Sequence, residues 1–314
     1  MNQDKLSKYK LTGSVHTFQI KIPDTLPPIP DYLTEAVKTH KTSDGKDTIA
    51  IINLNKMGGD IFSFTGFQEK MEYLKNILKF DFFNFQRSDF RMDNYESDHY
   101  ARFAKLNRYL ISLMAVQYEV KNAYRTENLF TQQQVSVSAR NRDFQIENYD
   151  RAAKSRNTEN HNEPAQARLE ERTMAQEWRT LYAKASPKES SMDIFRRDFT
   201  ENWFQRWRKS ISKDNINSVM ERYNYELERI YRHEKNVHPV RFRSLTDFLI
   251  AYQDSIFSKA QLINLLSRFP DEVKNPKTRA EHHKKKYGIE YFSQADIKKA
   301  VAEIKRATLE FFDK

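Results

Sequence analysis

The alternation of apolar and polar residues predicts strands in the first part of the chain. Val15–Ile22 alternates and is predicted to be a strand, and β-branched or aromatic runs predict strands at Thr48–Asn53 and Ile61–Phe64. The glycine-containing residues 56–60 form a predicted hairpin connection between the last two. Apolar residues then recur at helical spacing, which predicts a helix over Phe67–Leu78.

The following segments complete a sheet with helices. Strand character returns at Phe82–Met92, helical spacing covers Asp98–Asn122, and strands are predicted at Val135–Val137, Phe144–Tyr149 and Ala167–Thr173. The order strand, strand, strand, helix, strand, helix, strand, strand, strand describes an antiparallel sheet backed by helices. We therefore predict the α+β class.

The pattern becomes helical from Met174 onward. The sequence thus predicts a sheet domain over residues 1–173 and a mainly helical region over 174–314. Ser293 followed by Asp296 is a helix start signal. The predicted helices are Met192–Ser210, Asn215–Glu234, Leu245–Tyr252, Lys259–Arg268 and Ser293–Phe312.

Composition narrows the class of partner. The chain has no cysteine, which excludes disulfides, thiolate metal sites and cysteine nucleophiles and favours a reducing, cytoplasmic compartment. No apolar leader or membrane-length apolar run is present, so we expect no membrane partner. The net charge is +10, and from Ala175 onward 28 Lys and Arg stand against 20 Asp and Glu. This excess favours an anionic partner such as nucleic acid.

Four charged residues alternate along one predicted strand and so share one of its faces: Arg87, Asp89, Arg91 and Asp93. One interpretation is a solvent-exposed face with cross-strand ion pairs. The other is a carboxylate pair for a hard divalent cation, with arginines for phosphate. Spacing alone leaves both open.

Two later strands carry further candidates. Tyr149 ends the predicted strand Phe144–Tyr149 beside Glu147, Asp150 and Arg151, and without context it is an ordinary packed or surface tyrosine. Arg168, Glu170 and Arg172 share a face of the last predicted strand.

Taken in order, the three segments resemble the rolling-circle plasmid replication initiators of the staphylococcal type (the Rep_trans family) and, more distantly, relaxases of conjugative elements. The family's Arg-x-Asp-x-x-x-Asp strand is similar to Arg87, Asp89 and Asp93. Its strand-end tyrosine is similar to Tyr149, and its Arg-x-Glu to Arg168-Leu169-Glu170, which begins 19 residues later. The chain departs from the family at Ser88 and Arg91, where the family has apolar residues.

The resemblance implies a DNA-nicking enzyme of the bacterial cytoplasm. Tyr149 would be the nucleophile, leaving a 5′-phosphotyrosyl link and a 3′-OH primer, with Arg87 and Arg168 binding the phosphate. Mg²⁺ or Mn²⁺ would be held by Asp89, Asp93 and Glu170. Glu147 and Glu171 are candidates for a base or for positioning water. The implied partners are plasmid origin DNA, a second copy of the chain and a host helicase.

Cations mixed with aromatic residues in the C-terminal half indicate where DNA would be bound. An alternative for Trp203 and Trp207, four residues apart on a helix, is a place in the core. The predicted DNA-binding residues are Arg91, Arg151, Arg206, Arg208, Lys209, Lys284, Lys285 and Lys286.

Other functions stay open at this stage. A non-catalytic origin-binding protein would share the basic C-terminal half, as would a basic structural or RNA-binding protein. A relaxase would share the chemistry. The alternating carboxylates favour an enzyme, because a pure DNA binder gains nothing from carboxylates that face phosphates.

Overall fold

A computed structural model of the protein describes residues 6–23, 26–59, 61–119, 137–150, 167–237 and 242–314. Within these residues, seven antiparallel strands form one sheet in the order β2-β3-β1-β4-β7-β6-β5. Helices pack against it, so the predicted α+β class is confirmed. The strands are β1 (Thr12–Ile22), β2 (Val37–Lys41), β3 (Thr48–Asn53), β4 (Asn84–Asn94), β5 (Val137–Arg140), β6 (Phe144–Asp150) and β7 (Ala167–Thr173).

Most helices follow β7. A π-helical segment, Asp198–Asn202, joins α4 to α5. The start signal at Ser293 is confirmed, because Ser293 and Asp296 form a reciprocal capping box. In the described part of the chain, no helix is both long and apolar enough to cross a membrane. The α-helices are α1 (Phe64–Leu78), α2 (Tyr100–Gln117), α3 (Ala175–Lys184), α4 (Ser191–Arg197), α5 (Trp203–Ser210), α6 (Lys213–Val237), α7 (Leu245–Ala251), α8 (Lys259–Ser267), α9 (Pro276–Tyr287) and α10 (Gln294–Asp313).

The segment between β3 and α1 differs from the prediction. Ile61 makes only an isolated bridge to Val15, and the strand predicted at Ile61–Phe64 is wrong. Ser63 instead caps α1, its hydroxyl accepting a hydrogen bond from the amide of Gly66. The predicted hairpin connection is also wrong, because Leu54–Met57 forms a turn of 3₁₀-helix.

One face of the sheet packs against the helices through aromatic side chains. Phe85 of β4 stacks on Trp178 of α3 with ring centroids 4.9 Å apart, and Phe90 lies 5.2 Å from both Phe199 and Phe311. The hydrophobic core therefore continues across Thr173 into the helices that follow it. The boundary predicted near Thr173 is not a boundary of this core.

The last helix crosses β1 at Gly13. A Cβ atom at this position would lie 2.7 Å from the ring of Phe90 and 2.9 Å from the carbonyl oxygen of Ala307. Only glycine therefore allows α10 to approach the sheet this closely.

A second, smaller core lies farther along the chain. It joins the end of α6 to α7, α8 and α9 through buried residues such as Leu227, Phe248 and Leu265. The helical C-terminal region thus contributes to both cores, with α10 returning to the sheet.

Candidate active site

The face of the sheet opposite the helices carries the charged side chains that the sequence singled out. β4, β7 and β6 are neighbours, and their register aligns three rows of residues on that face. The rows are Asp93, Arg168 and Tyr149; Arg91, Glu170 and Glu147; and Asp89, Arg172 and Gln145. The structure therefore brings the three segments of the resemblance together.

The hydroxyl of Tyr149 lies between a carboxylate and a guanidinium on this face. Its hydroxyl donates a hydrogen bond of 2.8 Å to Oε2 of Glu170 and accepts one of 3.3 Å from Nη1 of Arg168. The same guanidinium donates bonds of 2.6 and 2.8 Å to the two carboxylate oxygens of Asp93. Arg168 thus connects the tyrosine to the buried aspartate.

The environment sets opposite ionisation states for Tyr149 and Glu170. Burial, aided by the charge of Glu170, raises the pKa of the Tyr149 hydroxyl above its ordinary value. Burial also opposes ionisation of Glu170, but Arg172 and the Tyr149 hydroxyl outweigh it and lower the pKa of that carboxyl to about 2. At neutral pH a protonated tyrosine therefore faces an ionised carboxylate.

Asp89 lies between two arginines. Arg87 donates to both of its oxygens, with 2.8 Å between Nε and Oδ1, and Nε of Arg172 lies 3.0 Å from Oδ1. Burial raises the pKa of Asp89 to about 6, with Glu170 adding to the rise and the arginines opposing it. The accessible edge of the cluster is at Arg87, whose side chain is 26% exposed, compared with 2% for Asp89.

Two further predicted site residues are buried and make contacts other than the ones predicted for them. Arg91 is fully buried and donates to Oγ of Ser14 and Oδ1 of Asn55, so its predicted role in DNA binding is corrected to a structural one. Glu171 lies on the helix face, where Nε1 of Trp207 donates to it at 2.6 Å, and it cannot act as a base for Tyr149. Arg151 lies outside the described residues.

The three predicted metal ligands do not converge. Asp93 is paired with Arg168, whereas Asp89 and Glu170 both contact Arg172. Among the residues that the structure describes, no three Asp, Glu or His side chains are grouped to hold a metal ion. The arrangement does not fit an ion held jointly by Asp89, Asp93 and Glu170, and the Mg²⁺ or Mn²⁺ requirement stays a prediction of the resemblance.

Two residues of this face were not among the predicted site residues. Arg172 was placed on the correct strand face by alternation, but its central position depends on the register of three strands. His16 lies on β1 at the irregularity where the pairing with β4 shifts between Val15 and Phe18. Its charge contributes to the low pKa of Glu170. A bulge is not visible in an alternating sequence, so no signal indicated the place of His16.

The basic residues of the C-terminal half separate into two groups. Arg208, Lys209 and Lys284–Lys286 are exposed, as DNA contacts require. Arg206 is buried, forms an ion pair with Glu177 and packs on the ring of Trp203, so it is corrected to a structural residue. Trp203 and Trp207 are buried in the core, which confirms the alternative that the sequence analysis gave for this pair of tryptophans.

A cleft of about 720 Å³ lies between α6, α8, α9 and the start of α10. Lys259, Lys284 and Lys299 line it, together with the N-cap residues Ser258 and Ser293 of α8 and α10. Lysines and helix N-termini both favour anions. Asp296 also lines the cleft and Lys259 forms an ion pair with Glu281, so the positive character of the cleft is smaller than that of three lysines alone.

Comparisons with known proteins add no functional assignment. No protein-family model matches the chain, and no curated protein or solved structure matches it either. The resemblance to replication initiators therefore stays a prediction, carried by the residues of β4, β6 and β7.

Proposed function

We propose that this chain is a DNA-nicking enzyme of the replication-initiator type, in which Tyr149 is the nucleophile. One observation carries the proposal: the Tyr149 hydroxyl is held between the carboxylate of Glu170 and the guanidinium of Arg168. A nucleophile hydrogen-bonded to a base, beside a cation that can receive a phosphate, is the arrangement that transesterification needs.

The geometry places Glu170 to accept the tyrosine proton, but its pKa of about 2 makes it a weak base, so the proton moves only as the new O–P bond forms. Because burial raises the pKa of Tyr149, the hydroxyl needs a base within hydrogen-bond reach. As Oη of Tyr149 attacks the phosphorus, the O–P bond forms, the bond from phosphorus to the 3′ oxygen breaks, and the tyrosine proton passes to Glu170. The departing 3′ oxygen takes up a proton from water and Glu170 returns its proton to solvent, which leaves a 3′-OH and a 5′-phosphotyrosyl link.

Arginines would stabilise the charge that develops on the phosphate. Arg168 already donates to the Tyr149 hydroxyl, and Arg87 lies at the accessible edge, where a DNA strand would arrive. The phosphotyrosyl bond keeps the energy of the broken phosphodiester, so the strand can later be resealed.

The C-terminal half supports DNA as the partner. The exposed lysines Lys284–Lys286 and the lysine-lined cleft lie in the part of the chain with the larger positive excess. Binding of origin DNA, dimerisation and recruitment of a host helicase are parts of the proposal that follow from the resemblance.

A second function is favoured by the burial of the cluster. Tyr149 is only 6% exposed, and Asp89, Asp93 and Glu170 are all paired with arginines. A non-catalytic origin-binding protein would use such a network only to hold its sheet together.

Nicking of supercoiled DNA tests the proposal. Plasmids that carry the DNA flanking the coding sequence are incubated with wild type, Tyr149→Phe and Tyr9→Phe, and conversion to open circles is measured. Tyr9 is a matched control, because it is also buried and donates a 2.6 Å hydrogen bond, to Asn107. We expect nicking by wild type and Tyr9→Phe only. Nicking by Tyr149→Phe would contradict the assignment, and no nicking by any variant would favour the binding protein.

A further inference from the structure

The guanidinium of Arg172 lies among three carboxylates. Its Nε is 3.0 Å from Oδ1 of Asp89, and its Nη2 contacts Glu170 and lies 3.9 Å from Oε2 of Glu147. Its Nη1 donates a 2.8 Å hydrogen bond to Oε1 of Gln145. One cation therefore connects acidic side chains from β4, β6 and β7.

The strand register produces this convergence. Arg172 pairs with Asp89 on one side and with Gln145 on the other, while Glu170 pairs with Glu147 one step along. Side-chain exposures of 2% for Asp89, 4% for Glu170 and 18% for Glu147 show that solvent screens these charges little. Carboxylates packed this closely repel one another unless a cation lies among them.

We infer that the Arg172 guanidinium is the resident cation of this charged face, in the place where a divalent metal would lie among carboxylates, and that strand cleavage there needs no bound divalent metal. The cation site stands independently of the proposed nicking function; only its consequence for cleavage rests on that function.

Charge and geometry both support a guanidinium here. Arg172 donates from Nη2 to Glu170 and from Nη1 to Gln145. Its Nε lies 3.0 Å from Oδ1 of Asp89 without a hydrogen bond, so its attraction to Asp89 is one of charge. Mg²⁺ instead demands octahedral oxygen ligands at about 2.0–2.1 Å, and a guanidinium among those oxygens blocks that geometry. A dication would also lie beside the fixed charges of Arg172 and Arg87.

Removal of Arg172 should expose a metal site. In Arg172→Ala, Asp89 keeps Arg87 as its counter-ion, whereas Glu147 and Glu170 lose the contact with Arg172. We expect the three carboxylates to move into the vacated space and to act together as Mn²⁺ ligands. In Arg87→Ala, Arg172 stays among the three carboxylates, so this variant removes one charge without opening the site.

Mn²⁺ binding to the full-length chain, measured by calorimetry and by the Mn²⁺ spin-resonance signal, tests the inference. We expect no saturable binding by wild type or Arg87→Ala up to about 1 mM Mn²⁺, and binding at least about tenfold tighter by Arg172→Ala. Saturable binding by wild type that is lost in Asp89→Asn would overturn the inference. So would a folded Arg172→Ala that binds no better than wild type. Should Arg172→Ala fail to fold, Arg172→Gln and the wild-type measurement decide.

The cleavage consequence has its own readout. Covalent DNA adduct formation by wild type should be equal, within about twofold, in EDTA and in Mn²⁺. Loss of the adduct in EDTA would overturn the metal-free mechanism. If no adduct forms in either condition, the proposed nicking function fails, while the Mn²⁺ titrations still decide whether Arg172 is the resident cation.

Discussion

The hydroxyl of Tyr149 donates a 2.8 Å hydrogen bond to Glu170, which is its diagonal neighbour across β6 and β7. The residue directly opposite Tyr149 is Arg168. The carboxylate and the guanidinium that contact the hydroxyl therefore both come from β7. Arg168 and Glu170 are two residues apart on β7. Because side chains alternate between the faces of a strand, both point to the same face and both can contact the hydroxyl. Both of these hydrogen bonds of the Tyr149 hydroxyl are therefore supplied by β7.

Replacement of Glu170 by Gln should slow adduct formation and leave DNA binding intact. Gln keeps an oxygen that can accept from Tyr149 but cannot take up its proton, and loss of general-base catalysis costs typically about 10²–10⁴-fold in rate. Adduct formation under single-turnover conditions gives the rate, and filter binding gives the affinity. An unchanged rate would show that Glu170 is not the base.

The stability of the protein should fall as the pH rises from about 5 to 8, in part because of Glu171. Burial raises the pKa of this carboxyl to about 8, whereas the unfolded chain releases the proton near its ordinary value. The contribution of Glu171 to the free energy of unfolding is fully present below the pKa that this carboxyl has in the unfolded chain. It is lost as the pH rises through the pKa in the folded protein.

Glu171→Gln keeps an acceptor for Trp207 and should remove roughly 2–4 kcal/mol of this pH dependence. Urea unfolding of both proteins at several pH values between 5 and 8 measures the difference in slope. Parallel slopes would contradict the assigned pKa of Glu171.

Replacement of Lys284, Lys285 and Lys286 by Ala should weaken DNA binding without lowering the thermal stability, because all three side chains are exposed. In a plot of the logarithm of the DNA association constant against the logarithm of the salt concentration, the steepness of the slope should fall by about 2–3 if each lysine contacts one phosphate. The matched control replaces the exposed Lys38, Lys41 and Lys46 by Ala, which removes the same charge at the β2 edge of the sheet. Equal losses from both triple variants would indicate a net-charge effect only.

Gly13→Ala should destabilise the fold by about 1–3 kcal/mol, because the new methyl group would press on Phe90 and on the backbone of α10. The neighbouring Thr12 is exposed, and Thr12→Ala should change the stability by less than about 0.5 kcal/mol. Urea unfolding compares the two variants. A stable Gly13→Ala would mean that α10 does not lie against β1 at this point.

Sequence patterns predicted the elements whose side chains show a clear period. β1, β3 and β6 alternate, and α10 has both a capping box and an apolar stripe. β2 was missed because only Val37 is buried, and α9 because its buried side chains are Ala280 and His283 alone. Without an apolar face, the remaining signal for α9 was the Asn-Pro pair at its start.

Most charged residues of the site were predictable from the sequence, but the place of His16 and the pairing of the side chains were not. Alternation placed Asp89 and Glu170 on polar strand faces, but whether an arginine or a metal lies between them depends on register and bulges. Arg206 was also assigned wrongly from its spacing. A cation beside aromatic residues on a helix has the same spacing whether it contacts DNA or packs on an aromatic ring, and Arg206 packs on Trp203. Burial distinguishes the two cases, and burial is a property of tertiary packing.

The most direct test maps the residue that becomes joined to DNA. Wild type is incubated with the cleaved DNA strand, denatured and digested with nuclease and trypsin, and the modified peptide is sequenced by mass spectrometry. We expect a 5′-nucleotide on Tyr149, within the tryptic peptide 143–151, and no adduct from Tyr149→Phe. An adduct on another tyrosine, or an unchanged yield from Tyr149→Phe, would contradict it.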